Sequence, residues 1–281
     1  MGGNKTIRRC ATTSFSPSAT LIACGTVAGA MDDSFSTTAS LEVFSVDHSD
    51  ASSFDSSSNT NECEMVGTGV SVTERFHRLC WGDQVSERLP AGILAGGLAD
   101  GTVQLYDPNA MMIQKKTKTK REENEDNSSS FFGANHEDLP AANSVSGCVL
   151  TTLQNAHAGA VRGLDFNPFS SNLLASGGRD GELSIWDIND PMKPSKYPAL
   201  VSGPSGPHTG EIAQIQWNTK VSHILASCGT TSGTTVVWDL KRQRPVISFV
   251  DPQSKRRCSA ISWNRDVATQ LIVASDDDRS C

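Results

Sequence analysis

The sequence lacks any hydrophobic run long enough to cross a membrane. A spanning helix needs roughly 20 apolar residues, whereas apolar segments such as 271–274 have only strand length. The polar and basic residues 1–9 are not followed by the apolar stretch that a secretory signal requires. We therefore expect a cytoplasmic protein without membrane-spanning segments.

Signs of disulfides, metal centres and cofactor sites are also missing. None of the eight cysteines lies in a C-x-x-C pair, which favours reduced thiols over a disulfide framework or a zinc site. Gly96-Gly97 and Gly177-Gly178 do not have the spacing of a phosphate-binding loop. The net charge of −7 argues against non-specific binding of nucleic acid. We expect no cofactor, no metal and no nucleic-acid partner.

The sequence does contain an internal repeat, which is the first feature to establish in a fold assignment. Each copy has a short apolar segment, a turn that contains glycine, and a second apolar segment that closes on an aromatic residue. The copies run from Leu173 to Asp187, from Leu94 to Asp107 and from Leu225 to Asp239. A looser copy spans 22–44, and a fifth begins at Val273.

The copies share their internal spacing but differ in total length. His157 precedes Ser176 by 19 residues, and His208 precedes Ser227 by the same 19 residues. The closing aromatic residues recur with periods of 62, 80 and 52 residues, more than the roughly 40–45 residues of a WD-repeat blade. The excess lies in two polar inserts, which we interpret as a flexible Ser/Asn-rich insert at 45–75 and a charged low-complexity insert at 108–156.

The apolar segments have the composition of short β-strands bounded by tight turns. We predict strands over Leu173–Gly177, Leu183–Asp187, Ile224–Ser227 and Val236–Trp238. The dipeptides Asp100-Gly101 and Asp180-Gly181 and the Ser232-Gly233 pair suit hairpin turns, which need positive φ. Sizeable side chains on both strand faces favour blades packed between other blades. The sequence therefore predicts that residues 1–281 form an all-β fold, an incomplete WD-repeat β-propeller with about four and a half of an expected seven blades.

One polar set recurs in two copies of the repeat. It consists of His157, Ser176, Asp180 and Trp186 in one copy and of His208, Ser227 and Trp238 in the next. One interpretation is a Ser-His-Asp catalytic triad, and the other is a structural hydrogen-bond chain whose last donor is the indole N–H. We favour the hydrogen-bond chain, because an active site is not built twice and the second set has no Asp. We therefore predict no catalytic residues and no enzyme.

Two charged runs also have competing interpretations. The basic run Lys115–Arg121 suggests a nuclear localisation signal or a nucleic-acid patch, but acidic residues follow it at 122–126, and we favour a solvated linker. Asp276–Asp278 suggests a metal site, but it lacks the alternating ligand pattern of calcium loops. We favour a polar turn there.

Four stretches of the sequence resemble one known family. In the first, residues 23–44, an over-long hairpin carries a Ser34-Phe35-Ser36 core, with 20 residues from Cys24 to Phe44 against ten from Ser176 to Trp186. The other three stretches are 76–108, 215–227 and 262–279. Together they resemble the N-terminal propeller of the larger WD-repeat subunit of the COPII vesicle outer coat.

The resemblance implies a non-enzymatic scaffold that assembles the cage of vesicles moving from the endoplasmic reticulum to the Golgi. It implies a cytoplasmic protein, peripheral at endoplasmic-reticulum exit sites and COPII vesicles. The implied partners are other coat propellers, the smaller WD-repeat coat subunit and inner-coat proteins, the last two through regions mostly absent here. The alternative is a generic WD-repeat adaptor of a ubiquitin ligase or a chromatin complex.

Overall fold

The computed structural model describes residues 10–29, 38–46, 63–113, 147–198, 200, 208, 210–250 and 257–275. In these residues the chain forms nineteen strands, arranged in five antiparallel sheets that follow one another in sequence order. We call the sheets blades 1 to 5, and the interface between two neighbouring blades a seam. The architecture is all-β, as predicted.

Each blade is built from consecutive strands. Blade 1 comprises β1 (Ala11–Phe15), β2 (Leu21–Thr26), β3 (Ala39–Ser45), β4 (Glu64–Met65) and β5 (Val70–Val72). Blade 2 comprises β6 (Phe76–Gly82), β7 (Ile93–Leu98), β8 (Val103–Tyr106) and β9 (Val149–Leu153). Blade 3 comprises β10 (Val161–Phe166), β11 (Leu173–Gly178), β12 (Leu183–Asp187) and β13 (Ser195–Lys196). Blade 4 comprises β14 (Ile212–Trp217), β15 (Ile224–Gly229), β16 (Thr234–Asp239) and β17 (Arg244–Val250), and blade 5 comprises β18 (Cys258–Trp263) and β19 (Leu271–Ser275).

The four strands predicted from the repeat are confirmed as β11, β12, β15 and β16, with ends within two residues of the prediction. The hairpin prediction also holds, since Gly101, Gly181 and Gly233 have φ of 95°, 78° and 62°. A residue with a Cβ is strained in this region. The glycines therefore fix the three turns that join the second and third strands of blades 2, 3 and 4.

The core lies in the seams, as expected for stacked blades. In β12, Leu183 and Ile185 pack in the apolar cluster at the seam with blade 4, whereas Trp186 packs in the cluster shared with blade 2. A strand alternates its side chains between two faces. Both faces of this strand are therefore covered, which is the observation that separates a propeller blade from a sheet with one solvated face.

The structure describes part of both inserts. In 45–75, β4 and β5 pair with opposite ends of β3, so that this part of the insert supplies the outer strand of blade 1 in two pieces. In 108–156, a short helix α1 over 108–113 and the outer strand β9 belong to blade 2. The basic run Lys115–Arg121 and the acidic triplet Asp276–Asp278 lie outside the described residues.

Candidate functional site

The first predicted polar set is assembled by three elements of blade 3. His157 lies in the connection between β9 and β10, where its backbone N–H donates to the carbonyl of Gly101. Ser176 lies in the middle of β11, Trp186 lies in β12, and Asp180 lies in the turn between those strands. The structure brings all four side chains into one chain of hydrogen bonds.

The direction of the chain follows from its two ends. The Asp180 carboxylate accepts from His157 Nδ1, with 3.2 Å between Oδ1 and Nδ1, which leaves Nε2 of the neutral ring as an acceptor. Ser176 Oγ lies 2.8 Å from Nε2 and donates to it. The indole Nε1–H of Trp186 donates to the same Oγ over 2.8 Å. Each group in the chain therefore has a complementary partner.

This connectivity is that of a catalytic triad, but burial argues against catalysis. A nucleophilic hydroxyl must meet its substrate, whereas Ser176 is 0% exposed and its oxygen already accepts the Trp186 indole N–H. His157 is 5% exposed, and burial lowers the pKa of its ring against the opposing effect of Asp180. A neutral, enclosed imidazole suits a link between strands.

The second set repeats the same bonds without the carboxylate. His208 Nε2 lies 2.6 Å from Ser227 Oγ, and Trp238 Nε1 donates to that Oγ over 2.8 Å. Among the described residues, the buried His208 Nδ1 has no hydrogen-bond partner. Burial lowers the pKa of His208 to about 4. Both predicted sets therefore form, and they differ only at the position of Asp180.

Blade 2 replaces the set with other residues. Gly96 stands where blade 3 has Ser176, and Tyr106 stands where blade 3 has Trp186. The Tyr106 hydroxyl donates to the Gln104 side chain over 2.5 Å. The ring of Phe76 occupies the space beside Gly96, since a Cβ there would lie 2.5 Å from it. Aromatic packing replaces the polar chain in this blade.

A second polar arrangement, which the sequence analysis missed, joins the blades to one another. At three of the four seams, the backbone N–H of the aromatic residue near the end of a blade's first strand donates to a side chain of the preceding blade. The pairs, donor first, are Trp81 with Ser14, Trp217 with Asp165, and Trp263 with Gln216. At the 2–3 seam the corresponding residue is Cys80, whose thiol donates towards the Asp165 carboxylate. Each acceptor directly precedes the aromatic residue of its own blade, and this repeated offset was the signal available in the sequence.

Asp165 is the charged member of this arrangement. Its Oδ2 accepts the Trp217 N–H over 2.7 Å, and the Cys80 thiol lies 3.9 Å from Oδ1. Burial raises the pKa of the Asp165 carboxyl to about 7, although the Trp217 N–H and Arg78 favour its charged form. Burial likewise raises the pKa of the Cys80 thiol to about 12, so Cys80 is a protonated donor.

A third arrangement uses the asparagine that follows the aromatic residue. Asn167 Nδ2 donates to the carbonyl of Ser222 over 2.8 Å, and Asn218 Nδ2 donates to that of Ala268 over 2.8 Å. Each bond crosses a seam, while the Oδ1 atom of each Asn accepts from its own turn. We call these two bonds the asparagine latches. They hold the 3–4 and 4–5 seams at one end of the blades.

The described residues contain no cluster of three or more His, Cys, Asp or Glu that could hold a metal. No described helix has the length and apolar character needed to span a bilayer.

Comparisons with known proteins agree with this architecture. The family model described as "WD domain, G-beta repeat" matches residues 147–187. The chain is similar to "Protein transport protein SEC31 homolog B" of Arabidopsis thaliana, with 41% identity over 98% of this chain and 22% of the relative. It is also similar to "Protein transport protein Sec31B" of Mus musculus, with 36% identity over 92% of this chain and 18% of the relative.

Solved structures give the same result. A chain of the structure titled "COPII on membranes, outer coat vertex" matches with a TM-score of 0.65 and 26% identity over 95% of this chain and 58% of that chain. The chain spans about a fifth of the length of the curated relatives it matches. Because the identity extends over nearly all of the chain and the coat structure shares its fold, the chain belongs to the Sec31 family of COPII outer-coat proteins, as a partial WD-repeat propeller.

Proposed function

We propose that this chain is a non-enzymatic scaffold of the COPII outer coat and acts in cage assembly during transport from the endoplasmic reticulum to the Golgi. The observation that carries the proposal is the 34–41% identity to Sec31 proteins over nearly the whole chain. Fold alone does not support it, because propellers serve many functions.

The geometry of the polar sets supports a scaffold rather than an enzyme. The Ser-His-Asp connectivity in blade 3 is enclosed between strands, and its Ser and His recur in blade 4 with the same indole donor. A hydroxyl that is fully buried and already receives an N–H has no position for a reacting carbonyl. The sets serve to hold the strands of a blade together.

We further propose that the propeller contacts other coat propellers, and that the smaller WD-repeat subunit and the inner-coat proteins bind outside this chain. The protein would then be cytoplasmic and peripheral, present at exit sites and on COPII vesicles through its coat partners. Within 45–75 and 108–156, the strands β4, β5 and β9 belong to blades 1 and 2, and the remaining residues of the two inserts serve as connections outside this role.

Localisation in living cells tests the proposal. The fluorescently tagged protein, expressed at its natural level, is expected in puncta that overlap an endoplasmic-reticulum exit-site marker. The matched control replaces the basic residues in 115–121 by glutamine, and its puncta are expected to be unchanged. A diffuse or nuclear signal that depends on those basic residues would overturn the coat proposal in favour of an adaptor in the nucleus.

A further inference from the structure

The 2–3 seam lacks the asparagine latch that holds the next two seams. In both latches, the accepting carbonyl belongs to the residue five positions after the aromatic residue of the following blade, as in Trp217 and Ser222. The corresponding acceptor position at the 2–3 seam is Ser171, five residues after Phe166. The corresponding donor position is Gly82, which has no side chain.

The packing of the seam excludes a side chain at this donor position. A Cβ at residue 82 would lie 2.7 Å from the ring of Phe166, closer than side chains tolerate. An asparagine therefore cannot occupy this position while Phe166 keeps its place in the core. Ser171 instead donates from its Oγ to the carbonyl of Gln84 over 3.1 Å, so this residue acts as a donor at the 2–3 seam.

An open cavity of about 280 Å³ lies at this point of the seam. Asp83 and Gln84 line it from blade 2, and the lining from blade 3 is Asn167, Pro168, Phe169 and Ser171. This volume lies just below the roughly 300–1,000 Å³ of sites for whole small molecules. The cavity therefore suits one long side chain better than a free metabolite.

The lining favours a guest that donates hydrogen bonds and carries positive charge. Asp83 is exposed and presents an acceptor-only carboxylate. Ser171 occupies the position whose backbone carbonyl accepts an asparagine N–H at the next two seams, and Gly82 supplies no such donor here. The ring of Phe169 is 52% exposed at the rim. Arginine has five donors and no acceptor, and its planar group stacks on aromatic rings.

We propose that the 2–3 seam is a docking site for an arginine side chain on an extended segment of a partner polypeptide. The guanidinium takes the place of the absent asparagine amide beside Ser171, pairs with Asp83, and lies against the ring of Phe169. The inference is independent of the coat assignment, because it uses only the differences among the chain's own seams.

A binding experiment with short peptides tests the site. The 281-residue chain is captured on a sensor surface, and acetyl-Gly-Arg-Gly-amide is titrated to the millimolar concentrations expected for a single residue. We expect saturable binding that weakens with added salt and is at least about fivefold tighter than for the Gln or Lys analogue. Equal binding of the three peptides, or no saturable binding, would overturn the proposal.

Two variants and a control locate the binding. D83N is expected to weaken binding of the arginine peptide about threefold, in keeping with the loss of an exposed charge pair, and F169A is expected to weaken it about threefold. The matched control D266N makes the same change in the corresponding exposed turn of blade 5, and its affinity is expected to equal that of the parent chain. Circular dichroism of each captured preparation verifies folding. Unchanged affinity in folded D83N, or equal losses in D83N and D266N, would show that the peptide binds elsewhere.

Discussion

Replacing Asp165 by asparagine should change how the stability of the propeller depends on pH. Asp165 accepts the Trp217 N–H across the 3–4 seam over 2.7 Å, and burial raises the pKa of its carboxyl to about 7. The groups that face it are the charged Arg78 and the neutral Cys80 thiol, both on β6. An asparagine of the same shape keeps an oxygen acceptor for Trp217 but does not ionise.

The sign follows from the two pKa values. Unfolded Asp165 loses its proton near the ordinary value of 3.8, and folded Asp165 loses it near 7. Between these values the folded state binds more protons, so raising the pH favours unfolding. The contribution of Asp165 to stability is therefore fully present below about pH 3.8 and is lost as the pH rises through 7.

The magnitude follows from the same difference. One pKa unit corresponds to about 1.4 kcal/mol, so the gap between 3.8 and about 7 sets an upper value of about 4 kcal/mol. Asp165 retains some exposed surface, and water reduces the cost of its charge. We expect the free energy of unfolding of D165N, relative to the parent chain, to rise by about 2–4 kcal/mol between pH 4 and pH 8.

Urea unfolding followed by circular dichroism at several pH values measures this difference. Buried His157 and His208, whose pKa values are lowered, make the parent chain more stable as the pH rises, which is the opposite sign. Subtracting the parent curve from the D165N curve removes their contribution. The control D266N changes an exposed carboxylate and should show no such rise. A flat difference for D165N would refute the argument that Asp165 is buried at a seam.

Three further predictions concern the blades. W186F removes the donor to the buried Ser176 of blade 3 and should lower the free energy of unfolding by about 1–3 kcal/mol. W238F loses the same 2.8 Å bond in blade 4 and should lower the free energy of unfolding by a similar amount. Urea unfolding measures both changes. G82A should destabilise the chain by about 1–3 kcal/mol, because its Cβ would meet the Phe166 ring at 2.7 Å, and loss of under 0.5 kcal/mol would contradict that contact. His208 should titrate near pH 4 in NMR spectra of its ring, and a midpoint above 6 would contradict its burial.

Sequence periodicity predicted the architecture because each copy carries its own strand signals. The hairpin glycines and the alternating strands of blade 3 are local features, so spacing alone placed Ser176 and Trp186 on neighbouring strands. The equal offsets of 19 residues also placed His157 and His208 beside those strands. The hydrogen bonds within the two polar sets therefore follow from a pattern inside one repeat.

The bonds between blades were harder to predict because they join residues about 50 to 85 positions apart. The residues at this position of the seams share a place in the strand but not a chemistry, since Ser14, Cys80, Asp165 and Gln216 have different side chains. Only the packing of successive first strands reveals that Ser14, Asp165 and Gln216 each accept a backbone N–H. The role of Gly82 was hidden for the same reason, because its neighbour Phe166 lies in the next blade.

The most direct test of the coat assignment is transport in cells that depend on a chimera. The matching segment of the Arabidopsis thaliana relative, 41% identical to this chain, is replaced by residues 1–281, and the rate at which a secretory cargo leaves the endoplasmic reticulum is measured. We predict a rate close to that of the unmodified relative. A stably expressed chimera whose cargo stays in the endoplasmic reticulum would contradict the account.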